Sequence, residues 1–189
     1  MIEFIENIDL QLFFAINGFH NPFLDFIMVA ASNAFWWIPL FIYLFYALFK
    51  AYPGKAFLWV VLAIIVSITL TDQLSVNAFK EVVKRYRPCH NLDILDRVHL
   101  LKEYCGGLYG FVSSHAANYA GLAVLFTGLL RFQYPKIYIL FFLWAFIIGY
   151  SRIYIGVHYP ADVVGGWILG SILGFIVYRL VSIPLSRIS

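Results

Sequence analysis

Charged residues are scarce in this chain of 189 residues: they make up 12% of it, whereas soluble domains carry about 25%. The formal net charge is only +3, and the sequence has neither a long basic tail nor a Gly/Ser-rich linker. This small charge argues against nucleic acid as a partner. Hydrophobic residues account for 62% of the chain and aromatic residues for 20%, and the mean hydropathy is +0.83. The composition therefore predicts an all-α integral membrane protein, with a single domain over residues 1–189.

Basic residues are missing from the start of the chain, because the first of them is Lys50. A secretory signal begins with a positively charged segment, so we do not expect one here. Apolar residues instead recur at helical spacing, from Ile2 and Ile5 to Ile16. Residues 1–20 are therefore predicted to be an amphipathic helix at the membrane interface. A first span inserted at shallow depth is the alternative.

Five later segments contain the roughly 20 mostly apolar residues that a transmembrane helix needs. Together with the N-terminal helix they predict a six-helix bundle. The first segment is interrupted by AASNA, which could bend or shift its helix. In the last segment GWILGSILG places glycines four residues apart, and this stripe is expected to permit close helix packing. The predicted spans are residues 25–49, 57–79, 111–130, 137–154 and 163–181.

Acidic residues are absent from the turns KAYPGK and RFQYPK and from the C-terminal tail, which together hold six basic residues. All ten acidic residues and all five histidines fall towards the other end of the bundle. The counts of Lys and Arg, six against seven, do not decide the orientation by themselves. If several bases at the acidic end belong to a site, the turns are predicted to be cytoplasmic. The polar segment 80–110 would then face outward.

The segment KEVVKRYRP supplies basic side chains at this outward end. If it is helical, Lys80, Lys84 and Arg87 form one stripe, and Pro88 ends the helix. The alternative is a collar of bases that snorkel to the interface. Lys84 and Arg85 could contact lipid headgroups or could simply snorkel.

The segment FVSSHAANYAGLAVL brings a helix start to the same end. Ser113 and Ser114 are good N-cap residues, and His115 falls in the first helical turn. Unpaired N–H groups at such a start, together with the helix dipole, favour an anion. An ordinary cap with a histidine at the water interface is the alternative.

The segment YSRIYIGVHYPADVVGG carries a third polar cluster between two apolar stretches. Arg152 ends one span, while His158 and Asp162 lie four residues apart as the next begins, where Pro160 suits a first turn. A carboxylate one turn from an imidazole can accept its Nδ1–H and leave Nε2 free to attack. The alternative is a purely structural His–Asp pair.

These clusters together resemble the motifs of the phosphatidic acid phosphatase type 2 superfamily, which shares its core site with vanadium haloperoxidases. The pattern K-x6-R-P is matched by Lys80, Arg87 and Pro88, and S-R-x5-H-x3-D by residues 151–162. The middle motif P-S-G-H is present as VSSH at residues 112–115, with Val in place of Pro and Ser in place of Gly.

The resemblance implies an enzyme: a metal-independent phosphatase or diphosphatase that acts through a phosphohistidine and needs no cofactor. By this resemblance His158 is the nucleophile, Asp162 orients it, and His115 is the acid and then the base. The groups implied to hold the phosphoryl oxygens are Lys80, Arg87, Arg152, Ser113 and Ser114.

The substrate implied by the resemblance is a phosphorylated lipid of the bilayer, reached from the periplasmic face of a bacterial inner membrane. Undecaprenyl diphosphate is the first choice. Lipid A phosphate, phosphatidylglycerol phosphate and phosphatidic acid are the others. A non-catalytic lipid-binding or transport protein on the same scaffold is the alternative, although such a protein has no need of a nucleophile and an acid. The oligomeric state cannot be predicted from the sequence.

Three further residues have open roles. Asp72 lies two helical turns before Lys80 and either pairs with a site cation or marks the polar end of its span. Cys89 and Cys105, the two cysteines of the sequence, form a disulfide if their segment faces an oxidising compartment, or remain free thiols.

Overall fold

The computed structural model describes residues 2–101 and 105–188. Residue 1 of the predicted N-terminal helix and residues 102–104 of the predicted polar segment lie outside this description. Within it, seven helices and no β-strand form. The helix α3 begins with a 3-10 turn, and α4 includes a π-helical stretch at Ser75–Lys80. The helices are α1 (Ile2–Asn17), α2 (Pro22–Ala31), α3 (Ala34–Ala51), α4 (Lys55–Val83), α5 (Ser114–Leu130), α6 (Ile137–Tyr154) and α7 (Pro160–Ile188).

The lengths and hydropathy of the helices are those of a multi-pass membrane protein. Among the described helices, α3, α4, α6 and α7 are each long and apolar enough to cross a bilayer. The helices α1 and α2 meet at a bend of 114° and together could form a fifth span. The 17-residue α5 carries the chain back from the end of α4 to the start of α6, so it runs through the same layer. The predicted all-α membrane architecture is confirmed.

The centre of the bundle is α5, which packs on α4, α6 and α7. Its side chains Leu125 and Phe126 are fully buried with Trp144 and Ile148 of α6. The outer surfaces of the other spans remain apolar: Leu58 and Leu140, for example, are exposed. A helix that is hydrophobic all round requires apolar surroundings, and lipid supplies them on the outer side.

The predicted first span, residues 25–49, is wrong as a single helix. The helix α2 ends at Ala31, and α3 starts at Ala34. Between them the side-chain oxygen of Asn33 accepts a hydrogen bond from the N–H of Phe35 at 3.1 Å, which caps the new helix. The polar pair within AASNA therefore breaks the span, and the bundle has seven helices rather than six.

The glycine stripe lies where α7 crosses α5. A Cβ atom on Gly166, Gly170 or Gly174 would overlap backbone oxygens at the start of α5 and along it. The two backbones are thus in direct contact, as the spacing predicts. This contact fixes the start of α5 against the first turns of α7.

The N-terminal helix is present as α1, but polar residues share its buried face. Asp9, Phe13 and Asn17 lie one turn apart, and all three are buried. The side chains of Ile2 and Ile5, which belong to the predicted apolar stripe, lie outside the described part of the structure. A purely apolar contact is therefore not what joins α1 to the bundle.

Candidate active site

A cavity of about 500 Å³ opens at the end of the bundle where α4 finishes and α5 and α7 begin. Six of the eight predicted site residues line it, and the other two, Ser113 and Asp162, lie outside its lining. A second cavity, of about 470 Å³, lies at the opposite end, and among the described residues around it there is no Lys, Arg, His, Asp or Glu. The first cavity is lined by Asp72, Val76, Lys80, Arg87, Cys105, Gly106, Ser114, His115, Asn118, Arg152 and His158.

His158 lies in the turn between α6 and α7, and its side chain is buried. The turn contains Gly156 at a φ of 82°, a conformation that favours glycine. It brings the N–H of His158 within 3.3 Å of the carbonyl oxygen of Arg152, to which it donates. The imidazole is thus fixed beside the last turn of α6.

Both ring nitrogens of His158 have polar neighbours. Nε2 lies 3.0 Å from Nη1 of Arg87, and Nδ1 lies 3.3 Å from Oδ2 of Asp162. Because a guanidinium can only donate, Nε2 must accept and the ring proton must be on Nδ1. Burial, followed by the charges of Arg87, Arg152 and Lys80, lowers the pKa of His158 well below its ordinary value of 6.5. At neutral pH the ring is therefore uncharged, with a lone pair on Nε2.

Three cations from three separate segments meet at the cavity. Nζ of Lys80, at the end of the π-helical stretch, donates to the hydroxyl of Ser114 at 2.6 Å. Arg87 and Arg152 are both buried. Arg152 donates from Nη1 to the hydroxyl of Ser32, while its Nε is buried without a hydrogen-bond partner among the described residues. A buried cationic N–H group that has no partner of this kind suits an anionic ligand, which could accept its hydrogen bond.

The predicted helical stripe of Lys80, Lys84 and Arg87 is wrong. The helix ends at Val83, because Lys84 adopts a left-handed conformation with a φ of 51°. The side chain of Lys84 is exposed and does not line the cavity. Arg87 reaches the cavity from an extended segment. The backbone N–H of Arg87 donates to the carbonyl oxygen of Leu108 at 3.2 Å.

The start of α5 faces this cation cluster. Ser113 is the N-cap, as predicted, and its hydroxyl accepts from the N–H of Ala116 at 3.4 Å. Ser114 and His115, the first two residues of the helix, line the cavity, and His115 is exposed there. The positive end of the α5 dipole therefore adds to the field of the cations.

Asp162 is completely buried and contacts two side chains. Its Oδ2 faces His158, and its Oδ1 accepts from Nη1 of Arg85 at 3.0 Å. Nη2 of Arg85 donates to Oδ2 of Asp9 at 2.5 Å. Burial opposes the charge of Arg85, but the two carboxylates outweigh it and raise its pKa. Arg85 is therefore held by two carboxylates instead of reaching for lipid headgroups or snorkelling.

The residues with open roles all lie at or beside the cavity. Asp72 lines the cavity on the same side of α4 as Lys80. This placement favours the interpretation that Asp72 pairs with a cation of the site over the interpretation that it marks the polar end of its span. Cys89 and Cys105 are joined in a disulfide, with their Cα atoms 6.3 Å apart, which decides between the two alternatives. Asn118 of α5 also lines the cavity, a placement that its helical spacing from His115 could have indicated.

A cavity with three fixed cations, next to a neutral histidine held by a carboxylate, suits the transfer of a phosphoryl group. Because it opens at one end of a bundle of membrane spans, the fold and the site define a membrane phosphatase. The sequence agrees with this class: a model of the PAP2 superfamily matches residues 56–184, and the chain belongs to that family.

The chain is similar over most of its length to phosphatases from other organisms. It is 40% identical over 179 residues to a lipid A 4'-phosphatase of Bacteroides thetaiotaomicron, covering 94% of this chain and 79% of that protein. It is 30% identical to an undecaprenyl-diphosphatase of Sulfolobus acidocaldarius, covering 95% of this chain and 82% of that one. In fold it matches a PAP2-type phosphatidylglycerolphosphate phosphatase of Bacillus subtilis with a TM-score of 0.69, at 23% identity and covering 93% of this chain and 85% of that one. The protein is thus a membrane lipid phosphatase, a hydrolase of phosphoesters.

Proposed function

We propose that this phosphatase acts on lipid A and removes a phosphate group from its glucosamine disaccharide. The observation that carries this proposal is the 40% identity to a lipid A 4'-phosphatase across 94% of the chain. Undecaprenyl diphosphate, the first choice from the sequence, is the second candidate. It is favoured by the 30% identity to an undecaprenyl-diphosphatase.

The polar groups beyond the cations support a sugar phosphate. Asp72 and Asn118 line the cavity, and both can hydrogen-bond to hydroxyl groups. The acylated glucosamine ring presents polar substituents around its phosphate, whereas an isoprenoid chain presents none. A carboxylate repels a phosphate, so Asp72 is better suited to the sugar than to a second phosphate.

The geometry supports attack by His158 on phosphorus. Nε2 would form the N–P bond while the P–O bond to the lipid breaks, and His115 would protonate the leaving oxygen. Asp162 would stabilise the imidazolium that forms. His115 would then take a proton from water as the water attacks phosphorus, and the N–P bond would break, which releases inorganic phosphate and restores the neutral imidazole of His158.

Fixed cations supply the charge stabilisation in this scheme. Lys80, Arg87 and Arg152 would hold the phosphoryl oxygens, together with Ser114 and the start of α5. Ser113, whose hydroxyl caps the helix, would act through that helix start and not by direct contact. We propose that the reaction needs neither a metal ion nor a cofactor.

The orientation we propose places the cavity on the periplasmic side of a bacterial inner membrane. The six bases of the opposite turns and tail favour the cytoplasm for that end. The Cys89–Cys105 disulfide is independent support, because disulfides persist in oxidising compartments. A lipid could then reach the cavity laterally with its chains still in the bilayer.

The proposal is tested by phosphate release from purified protein in detergent, using lipid A, undecaprenyl diphosphate, phosphatidylglycerol phosphate and phosphatidic acid. We expect the highest kcat/KM for lipid A, and the loss of one phosphate from its mass. A His158→Ala variant is the control for contaminating phosphatases. Faster turnover of undecaprenyl diphosphate would favour the second candidate, and binding without phosphate release from any lipid would favour the non-catalytic alternative.

A further inference from the structure

Arg85 joins two carboxylates that come from distant parts of the chain. Its Nη1 donates to Asp162 of α7 and its Nη2 to Asp9 of α1, at 3.0 and 2.5 Å. The guanidinium also stacks on the ring of Tyr159, 4.1 Å from its centroid. These contacts fix the plane of Arg85 as well as its position.

Asp9 has a second partner, in the first turn of α7. Its Oδ1 accepts a hydrogen bond from the N–H of Ala161 at 2.7 Å. Both oxygens of this buried carboxylate are therefore used, one on the helix that carries Asp162 and one on the arginine that binds Asp162. Asp9, Arg85 and the first turn of α7 form a closed ring of contacts.

The ring matters because Asp162 has no exposed surface. Its Oδ2 accepts from the N–H of Tyr159 at 3.0 Å and faces Nδ1 of His158 at 3.3 Å. A buried carboxylate is costly without a counter-charge in contact with it. The contact with Arg85 supplies that charge and leaves Oδ2 directed at the imidazole.

We propose that Asp9 and Arg85 are positioning residues for His158, acting through Asp162, so that the N-terminal helix is part of the catalytic apparatus. The inference rests on the proposed role of His158 as nucleophile. Neither residue lines the cavity, so their effect is on the orientation of the imidazole, through its contact with Asp162, and not on phosphate binding.

The test compares Arg85→Gln and Asp9→Asn with two matched controls. The side-chain amide oxygen in Asp9→Asn could still accept from the N–H of Ala161. This variant therefore removes the charge of Asp9 and keeps its hydrogen bond to the first turn of α7. Glu6→Gln removes an exposed acid from the same helix. Arg97→Gln removes an exposed arginine that packs on Phe14 of α1, 4.1 Å from the ring centroid.

With a soluble phosphate monoester as substrate, we expect kcat to fall about 10- to 100-fold in Arg85→Gln. This is the range for residues that orient an active-site side chain without contacting the substrate themselves. The KM and the inhibition constant of inorganic phosphate should stay within about threefold, because the three cations are untouched. Arg85→Lys should recover part of the kcat. The double variant Arg85→Gln/Asp9→Asn should lose no more kcat than Arg85→Gln alone, because Asp9 acts through Arg85. Both controls should keep kcat within about twofold.

A kcat within twofold of the parent in Arg85→Gln and Asp9→Asn would overturn the inference, as would a loss confined to KM. If Arg85→Gln does not fold, Arg85→Lys and Asp9→Asn carry the same comparison. The ¹⁵N spectrum of labelled histidine provides a readout that needs no substrate: the proton of His158 should stay on Nδ1, because Arg87 still faces Nε2, but the Nδ1 signal should shift in Arg85→Gln as the contact with Asp162 weakens. An unchanged Nδ1 signal would also overturn the inference, whichever lipid proves to be the substrate.

Discussion

The Nε2 atom of His158 lies 3.0 Å from Nη1 of Arg87, so the proposed nucleophile rests against a cation that is proposed to bind phosphate. A phosphoryl group entering the cavity would take over this donor and free the lone pair of Nε2 for attack. Until then the arginine keeps the reacting nitrogen at the wall of the cavity.

Replacing His158 by alanine should abolish turnover, because the group that forms the N–P bond in the proposed scheme is then missing. The residual rate should be below about one part in 10³, the scale of loss when a nucleophile is removed. The protein should still elute as a single species in detergent. His20→Ala, at an exposed histidine outside the cavity lining, should keep the parent rate. Measurable turnover in His158→Ala would contradict the proposed nucleophile.

The pH dependence of kcat/KM should show an acidic limb well below pH 6.5. Burial and the neighbouring cations lower the pKa of His158, and the ring is active when neutral, so activity is lost only as the pH falls through this low value. Loss of the acid form of His115 should produce the opposite limb and a bell-shaped profile. In Arg87→Gln the acidic limb should move to higher pH, whereas Arg131→Gln at the other end of the bundle should leave it in place. An acidic limb at or above pH 6.5 in the parent would contradict the assignment.

Replacing Arg152 by lysine should weaken phosphate binding although the charge is kept. Lysine cannot present Nε and Nη donors together, and the loss of a hydrogen bond to a charged group costs about 1.5–3 kcal/mol. We therefore expect KM and the inhibition constant of phosphate to rise about 10- to 100-fold. Arg131→Lys is the matched control. Unchanged constants in Arg152→Lys would remove Arg152 from the proposed binding set.

Chelation should leave activity intact. The proposed charge stabilisation comes from Lys80, Arg87 and Arg152, whose side chains are part of the chain and cannot be removed by EDTA. The measurement is the rate before and after dialysis against EDTA, with a magnesium-dependent phosphatase as the positive control. A large loss that added metal restores would contradict the metal-free scheme.

The disulfide between Cys89 and Cys105 can be checked by mass. Alkylation without reductant should leave the mass unchanged, whereas reduction first should add two alkyl groups. Reduction should also lower the thermal midpoint, because the bond closes a loop with a sequence separation of 16 and loops of this size contribute about 3 kcal/mol. Two alkyl groups added without reductant would contradict the bond.

The residues that line the cavity were largely predictable, because many of them lie at or near helix ends on the same side of the bundle. Counting alternate spans places Lys80, Ser114, His115, Arg152 and His158 together without any knowledge of side-chain contacts. This counting concerns placement alone; the roles, which were predicted from the family resemblance, are still proposals.

The errors and omissions share a physical cause. Helical periodicity extended α4 to Arg87, but the left-handed conformation of Lys84 ends the helix earlier, and lysine gives no warning of this. The contact of Arg85 with Asp9 joins residues 76 positions apart. Nothing in local spacing predicts such a pair, and an acid on an amphipathic helix is normally assigned to water.

The backbone contact between α5 and α7 has a consequence for selectivity. His115 belongs to the first turn of α5, and His158 lies two residues before α7 begins, so the glycines that join these helices also restrict the distance between the proposed acid and the proposed nucleophile. Side chains can adjust by rotating, but two touching backbones cannot. If the proposed roles hold, this part of the site is rigid and fits one phosphoryl group, and we expect discrimination among lipids to come from other lining residues such as Asp72 and Asn118.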